Sequence, residues 1–407
     1  MRRAARLLVI AVVVLAGASQ APAENPTVLR SIQLGAETCC SLTGVAVSPD
    51  TNRIYVTDPS RDFLYVIDGY TNEVVDTIDV GGRPWDVAVN PFTNKVYVSS
   101  LDDQSVYVID GTSGEILGII ATPQVPFGLV MDYATNHLYV TLPAADCVCA
   151  IDCATHTVSW TIPLDPWPRY PGLDATTGEV WVGHDVGCVS VLDDPDADEV
   201  FVGLQPRDVA VNPMIQRAYA ADRQAGCVHV VDTKSHAIVG ERPVDGHPEA
   251  IAANVLAGRL YVALLEDAIQ VLEGLPEQIE ATVAVGDRPH DVAVNPLTER
   301  IYVVNYHDGT LDVIADRDER RPPARVLGGF IRQLLADIND VGARDLAALV
   351  ERGLMALQDD DPTNDFKAAV YLTALIDEID AKGLLKEEDY ARIAAAARRI
   401  VTMFIEG

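Results

Sequence analysis

Lysine is scarce in this chain, standing only at positions 95, 234, 367, 382 and 386, against 60 Asp and Glu. The formal net charge is −30 at pH 7. Such a surface lacks the Lys/Arg footprint that phosphate backbones require, which argues against nucleic acid and anionic membrane as partners. Divalent cations, a basic partner or a salty environment suit it better, and the charge bears on solubility rather than on fold. Long apolar runs are missing after residue 23, and a spanning helix needs ~20 residues, so no membrane insertion is expected. A haem-type Cys-x-x-Cys-His is absent, which disfavours a redox cofactor. No Cys and His fall at an evident zinc-ligand spacing, so zinc has no support at this level.

The first 23 residues form an address label. Arg2, Arg3 and Arg6 precede an apolar stretch from Leu7 to Ala16, and Ala21-Pro22-Ala23 is a small-x-small cleavage site before Glu24. This is the pattern of a secretory signal peptide, so a secreted or cell-surface protein cleaved after Ala23 is expected. Seven cysteines (39, 40, 147, 149, 153, 188 and 227) then sit in a chain bound for an oxidising compartment. Their odd number leaves at least one thiol unpaired in a monomer, and their connectivity stays open. Cys147, Cys188 and Cys227 each stand five before an acid, Asp152, Asp193 or Asp232. They are read as small buried hydrophobes in equivalent places.

What the chain has in abundance is a repeated triplet, apolar–aromatic–apolar. It occurs at Ile54-Tyr55-Val56, Val96-Tyr97-Val98, Leu138-Tyr139-Val140, Val180-Trp181-Val182, Ala218-Tyr219-Ala220, Leu260-Tyr261-Val262 and Ile301-Tyr302-Val303. The spacings are 42, 42, 42, 38, 42 and 41 residues. A period of ~40–45 residues built from short β-segments is the signature of a propeller blade. Six residues before each triplet stands Ser48, Asn90, Asp132, Asp174, Asn212, Asn254 or Asn295, whose side chains can start a turn. Twelve residues before, six copies carry proline: Pro84, Pro126, Pro168, Pro206, Pro248 and Pro289.

The unit reads as four strands, and six outer strands are found at 74–80, 116–122, 158–164, 199–203, 238–244 and 279–285. Arg317 to Pro323 cannot supply a seventh, so Thr27–Leu34 is expected to close the ring as the outer strand of the last blade. The fold class is therefore an all-β seven-bladed propeller over 24–316, closed by an N-terminal strand. A linker over 317–324 leads to a small all-α helical bundle over 325–407, where apolar residues recur at helical spacing.

Tyr55-Val56-Thr57-Asp58 and Tyr302-Val303-Val304-Asn305, with Asp86-Val87-Ala88-Val89-Asn90-Pro91 and Asp291-Val292-Ala293-Val294-Asn295-Pro296, resemble the YVTN family of β-propeller repeats. That resemblance covers about residues 27–316 and implies an exported or surface-layer propeller. Trp181, Ala220 and the Leu264-Leu265 pair depart from its motif. The tail from Leu334 to Met403, with Phe366-Lys367-Ala368-Ala369 and Ala374-Leu375-Ile376, resembles the FIMAH domain, which implies an adhesion or ligand-contact accessory.

Loops leading into the inner strands, and those joining second to third strands, open on one mouth of a propeller. Here they carry Arg83, Trp85, Asp86, Phe127, Arg169, Arg207, Asp208, His247, Glu249, Arg288, His290 and Asp291, together with Asp58, His184, Asp222 and His307. Aromatic faces with a few placed polar groups are what a ligand site requires. Trp85, Asp86, Phe127, His184, Arg207, Asp208, His247, His290, Asp291 and His307 are therefore the ligand-binding candidates. No catalytic residue is assigned. A binding or scaffold protein with a protein or glycan ligand outside the cell is the expectation. The alternative is a metal-assisted lyase or hydrolase using the mouth histidines as base. Two acidic runs, Asp193–Glu199 and Asp359–Asp365, invite a divalent cation. Asp194, Asp196 and Asp198 are the calcium candidates, although glycine and trailing glutamate of a calcium loop are missing.

Overall fold

The structure is a computed structural model that describes residues 26–316, apart from 36–40, 50, 176, 194–195, 214, 256–257, 274–277 and 297. The signal segment, Cys39, Cys40, Asp194, the 317–324 linker and the expected helical tail lie outside the described residues.

Among the described residues the chain forms seven four-stranded antiparallel sheets, which make a seven-bladed β-propeller. Blade 1 runs from Val45–Ser48 through Arg53–Asp58 and Phe63–Asp68 to Glu73–Asp79. Blade 2 holds Pro84–Asn90, Lys95–Ser100, Ser105–Asp110 and Ile116–Ala121, and blade 3 Leu129–Asp132, His137–Leu142, Cys147–Asp152 and Thr157–Pro163. Blade 4 follows with Pro168–Leu173, Val180–His184, Cys188–Asp193 and Asp196–Phe201. Blade 5 comprises Pro206–Asn212, Arg217–Asp222, Cys227–Asp232 and Ile238–Pro243. Blade 6 comprises Pro248–Asn254, Arg259–Leu264, Ala268–Glu273 and Gln278–Ala284. In blade 7, Pro289–Asn295, Arg300–Asn305 and Thr310–Ala315 are followed in space by Thr27–Gln33, paired from Thr27↔Ala315 to Gln33↔Thr310. Inner strands of successive blades pack side by side, including that of blade 7 against blade 1.

The triplets explain why this sequence makes blades that stack. Side chains alternate along a strand, so the aromatic points to one face and its two neighbours to the other. Tyr55, Tyr97, Trp181, Tyr219, Tyr261 and Tyr302 are almost wholly removed from solvent. Each aromatic packs into the blade that follows: Tyr55 joins Val96 and Val98, Tyr97 joins Leu138 and Val140, and Tyr302 joins Ile54 and Val56. Second and third strands are thus covered on both faces, while outer strands such as Glu73–Asp79 remain exposed except near their ends.

The two departures in blades 4 and 5 belong together. Trp181 sits in one cluster with Ala218 and Ala220, where the other blades offer Val, Leu or Ile to a tyrosine. A larger ring meets two smaller neighbours, which conserves volume at that joint.

The polar column does start turns. Asn90 accepts from the N–H groups of Phe92 and Thr93 at 3.0 and 3.2 Å, and Asp132 from Ala134 at 2.8 Å. The turn is completed by a left-handed residue three before each aromatic, among them Asn52, Asn94, Asn136 and Gly178.

One boundary needs correcting. The outer strand of blade 4 begins at Asp196, not at 199, because Asp193 pairs directly with Asp196. Asp196 and Asp198, proposed from sequence as calcium ligands in a loop, therefore lie in a paired strand.

Candidate functional site

Five of the proline positions open an inner strand, and in each the ladder slips just after the proline, between Pro84 and Val87, Pro168 and Pro171, Pro206 and Asp208, Pro248 and Ala250, and Pro289 and Asp291. A bulge re-aims the side chain it contains. The residues so placed are Trp85, Arg169, Arg207, Glu249 and His290, with Thr43 and Phe127 at the equivalent position in the two blades whose inner strands start later. Six blades thus bring one such side chain each to a common group, while Thr43 of blade 1 is wholly buried with its hydroxyl on the Trp85 carbonyl.

Aromatic rings dominate that end. Trp85 lies 5.2 Å from Phe127 and 5.7 Å from His290, centroid to centroid, and Phe127 lies 5.1 Å from Tyr170. The Trp85 indole N–H donates to the Tyr170 hydroxyl at 2.9 Å, a link between blades 2 and 4. His290 stacks on Tyr306 at 5.6 Å and its Nδ1 meets the Thr43 carbonyl at 2.8 Å. Guanidinium groups cover two ring faces: Arg169 over Phe127 and Arg288 over Tyr306, at 5.3 and 5.5 Å. Buried Glu249 carries Arg207 at 3.0 Å and Arg223 at 3.3 Å. Hydroxyls beneath fix the loops, with Ser99 donating to the Phe127 carbonyl at 2.8 Å and Thr57 to that of Trp85 at 2.9 Å.

Next to this aromatic end lies a channel cavity of about 170 Å³, lined by Asp86, Asp208, Asp291 and Tyr170 among others. Each aspartate bridges two blades. One oxygen accepts its own strand's next N–H, from Val87, Val209 or Val292 at 2.7 to 2.8 Å. The other accepts the inner-strand N–H of the following blade, from Leu129, Ile251 or Val45, at 2.8 Å in every case. The receiving blades have Gly128, Ala250 and Gly44 where the donors have aspartate. Compactness is required at Gly44, where a Cβ would stand 2.9 Å from the Trp85 carbonyl oxygen.

Withdrawal from bulk water pushes Asp86 up to about 7, aided by the charge of Asp208, and pushes Asp208 up to about 6. Asp291 rises well above the carboxylate range for the same reason, with the charges of Asp86 and Asp208 added. Burial likewise raises the Tyr170 phenol and lowers the His290 imidazole, so both are neutral near pH 7. The lining thus offers several acceptors whose protonation is linked.

The ten candidates divide. Trp85, Phe127, Arg207 and His290 meet at the aromatic end, with Asp86, Asp208 and Asp291 in the adjoining cavity. His307 touches this group through Tyr306 at 5.4 Å and also pairs with Asp287. His247 is exposed at the rim and pairs with Glu266 at 2.6 Å, outside the ring cluster. His184 is not a mouth residue at all. It ends a strand, fully buried, with its ring nitrogens on the Pro166 carbonyl and the Ser190 hydroxyl.

Tyr170 and Tyr306 were missed by sequence reading, although Tyr170 stands in the column of Asp86 and Asp208, eleven before the triplet aromatic. The absence of a Cys/His pair also needs correcting. Cys227 and His229 lie two apart in one strand, which puts both on one face, with Sγ and Nε2 3.5 Å apart. The five described cysteines are free and buried, as small hydrophobes would be.

No protein-family model matches this chain, and no curated protein sequence does. Solved structures do resemble it. Hydrazine synthase of Kuenenia stuttgartiensis has a TM-score of 0.61 at 17% identity, covering 69% of this chain and 96% of that one. Selenomethionine-substituted virginiamycin B lyase from Staphylococcus aureus has a TM-score of 0.61 at 14% identity, covering 70% of this chain and 98% of that one. At such identities the likeness is one of fold alone.

Proposed function

We propose that the protein is an exported binding or scaffold propeller of the YVTN type, taking a protein or glycan ligand outside the cell at the aromatic mouth. On this reading the first 23 residues direct export, the Thr27–Gln33 strand closes the ring, and the tail from 325 is a FIMAH-like accessory. The observation that carries the reading is the run of half-buried rings from Trp85 to Tyr306, flanked by Arg169, Arg288 and the Arg207–Glu249 pair. Planar apolar faces beside fixed charges recognise sugars and protein side chains alike.

The test is a glycan and protein-partner screen with the full chain, repeated with Trp85→Ala and Tyr306→Ala. Removing either ring should weaken the ligand found by about tenfold or more, the loss typical of an anchoring aromatic. A ligand bound equally well by both variants would place recognition elsewhere on the molecule and end this proposal.

A metal-assisted lyase or hydrolase at the same mouth is the second reading. Its support is that His290 and His307 share contact with Tyr306, on a fold like that of virginiamycin B lyase. Against it, His290 is buried and engaged by Thr43, and neither His184 nor His247 joins it. Stoichiometric metal lost on His290→Ala would favour the lyase.

A further inference from the structure

Blade 5 contains a side-chain cluster that the mouth does not use. Sγ of Cys227, Nε2 of His229 and a carboxylate oxygen of Glu241 all lie within 4.8 Å of one another. Glu241 stands directly opposite His229 in the ladder, on the same face of the sheet. Asp222, paired in register with Cys227, brings Oδ2 to 3.3 Å from His229 Nε2. We propose that Cys227, His229 and Glu241 hold a divalent transition metal of the zinc class, with Asp222 beside them in contact with His229.

The spacing is what argues for this. A tetrahedral zinc with Zn–S of ~2.3 Å and Zn–N of ~2.0 Å holds its sulfur and nitrogen about 3.5 Å apart. Cys227 Sγ and His229 Nε2 stand 3.5 Å apart, and the Glu241 carboxylate lies within 4.8 Å of both. Room at the pair depends on Gly203, which crosses beside it. A Cβ there would come to 2.0 Å from Asp222 Oδ2 and 2.4 Å from His229 Nε2.

The same place in other blades holds hydrogen-bonded pairs without such a set. Tyr65 donates to Asp58 at 3.3 Å, His184 meets Ser190 at 2.9 Å, and Asn305 donates to Asp312 at 2.9 Å. Among the described residues only blade 5 combines thiol, imidazole and carboxylate in this way. Cys227 and His229 are buried and Glu241 is exposed, which gives an ion its way in. An ion here would tie the third and fourth strands of blade 5 together, while Asp222, in contact with His229, accepts from the N–H groups of Leu204 and Gln205 in the crossing that leads to Arg207.

Cobalt(II) titration of the full chain under reducing conditions tests this. One equivalent should produce tetrahedral visible bands and a thiolate-to-cobalt charge-transfer band, both displaced by zinc. Cys227→Ser should abolish the charge-transfer band, and His229→Gln should lower zinc affinity by at least ~100-fold. Glu241→Gln alters an exposed residue and keeps the test open if the buried variants do not fold; it should weaken zinc about tenfold. Cys149→Ser and Trp85→Ala should leave binding intact, which separates this site from the mouth. Absence of stoichiometric binding, or a thiolate band surviving in Cys227→Ser, overturns the proposal.

Discussion

The joint between blades 4 and 5 offers a test of how this sequence encodes stacking. Trp181 is fully buried against Ala218 and Ala220, both also buried. Trp181→Phe removes roughly 40 Å³, and with ~24 cal/mol per Å³ of cavity plus the lost transfer energy it should cost about 2 kcal/mol. Ala220→Val alone pushes two extra carbons into a filled joint and should cost about 1–3 kcal/mol by overpacking. The double variant restores the pattern of the other blades, so its cost should fall to about 1 kcal/mol, a favourable coupling of about 2 kcal/mol or more. Urea unfolding of all four proteins, compared at matching m-values, reads this coupling from the midpoints. Strictly additive losses would mean that the two departures are unrelated, and the reasoning about size exchange would fail.

The channel acids make a pH prediction whose sign follows from their raised values. The folded chain holds protons on Asp86, Asp208 and Asp291 more tightly than the unfolded chain, so their contribution is fully present below the ordinary carboxylate range near pH ~4; that of Asp208 and Asp86 is lost as pH rises through about 6 to 7, and that of Asp291 is lost with rising pH as well. Thermal midpoints in high salt should therefore fall between pH ~5 and ~7.5, and Asp86→Asn should flatten that slope; a rising or level profile would refute the assignment. Below pH ~4 the order reverses, because Asp222, lowered to about 2 by hydrogen bonds from His229 and backbone N–H groups despite burial, and Asp103, Asp110 and Asp232 lose their stabilising charge. For the proposed export, the mass of the protein recovered outside expressing cells should correspond to a chain starting at Glu24, and recovery of a chain retaining Met1 would contradict cleavage after Ala23.

The period of the triplets made the blades legible because each interface needs one aromatic and two flanking apolar residues. The turn-forming Asn and Asp column and the proline column were legible for the same reason. His184 shows where such reading stops. Taken as a loop residue, it belongs at the mouth; as the last strand residue it faces Ser190 inside the blade, since one step along a strand reverses the side chain. Tyr306 escaped because it lies just past its strand, and its partner His290 comes from a different segment. The Cys227–His229–Glu241 grouping is invisible without the register that sets His229 opposite Glu241.

In a repeat lattice the departures carry the information, and here they sort by whether a neighbour compensates them. Trp181 is balanced by Ala218 and Ala220, and Asp86, Asp208 and Asp291 each face a blade with Gly or Ala in the same column. Those departures are accounted for by packing and by blade-to-blade hydrogen bonds. The aromatic run at the mouth and the thiol–imidazole–carboxylate set in blade 5 have no such counterpart. A stack of blades requires neither half-buried rings under guanidinium groups nor a buried thiol beside two acids, and both arrangements carry costs of desolvation or exposure. Function is therefore best sought at these two places, and the aspartate bridges, for all their displaced acidity, are first of all fasteners of the ring.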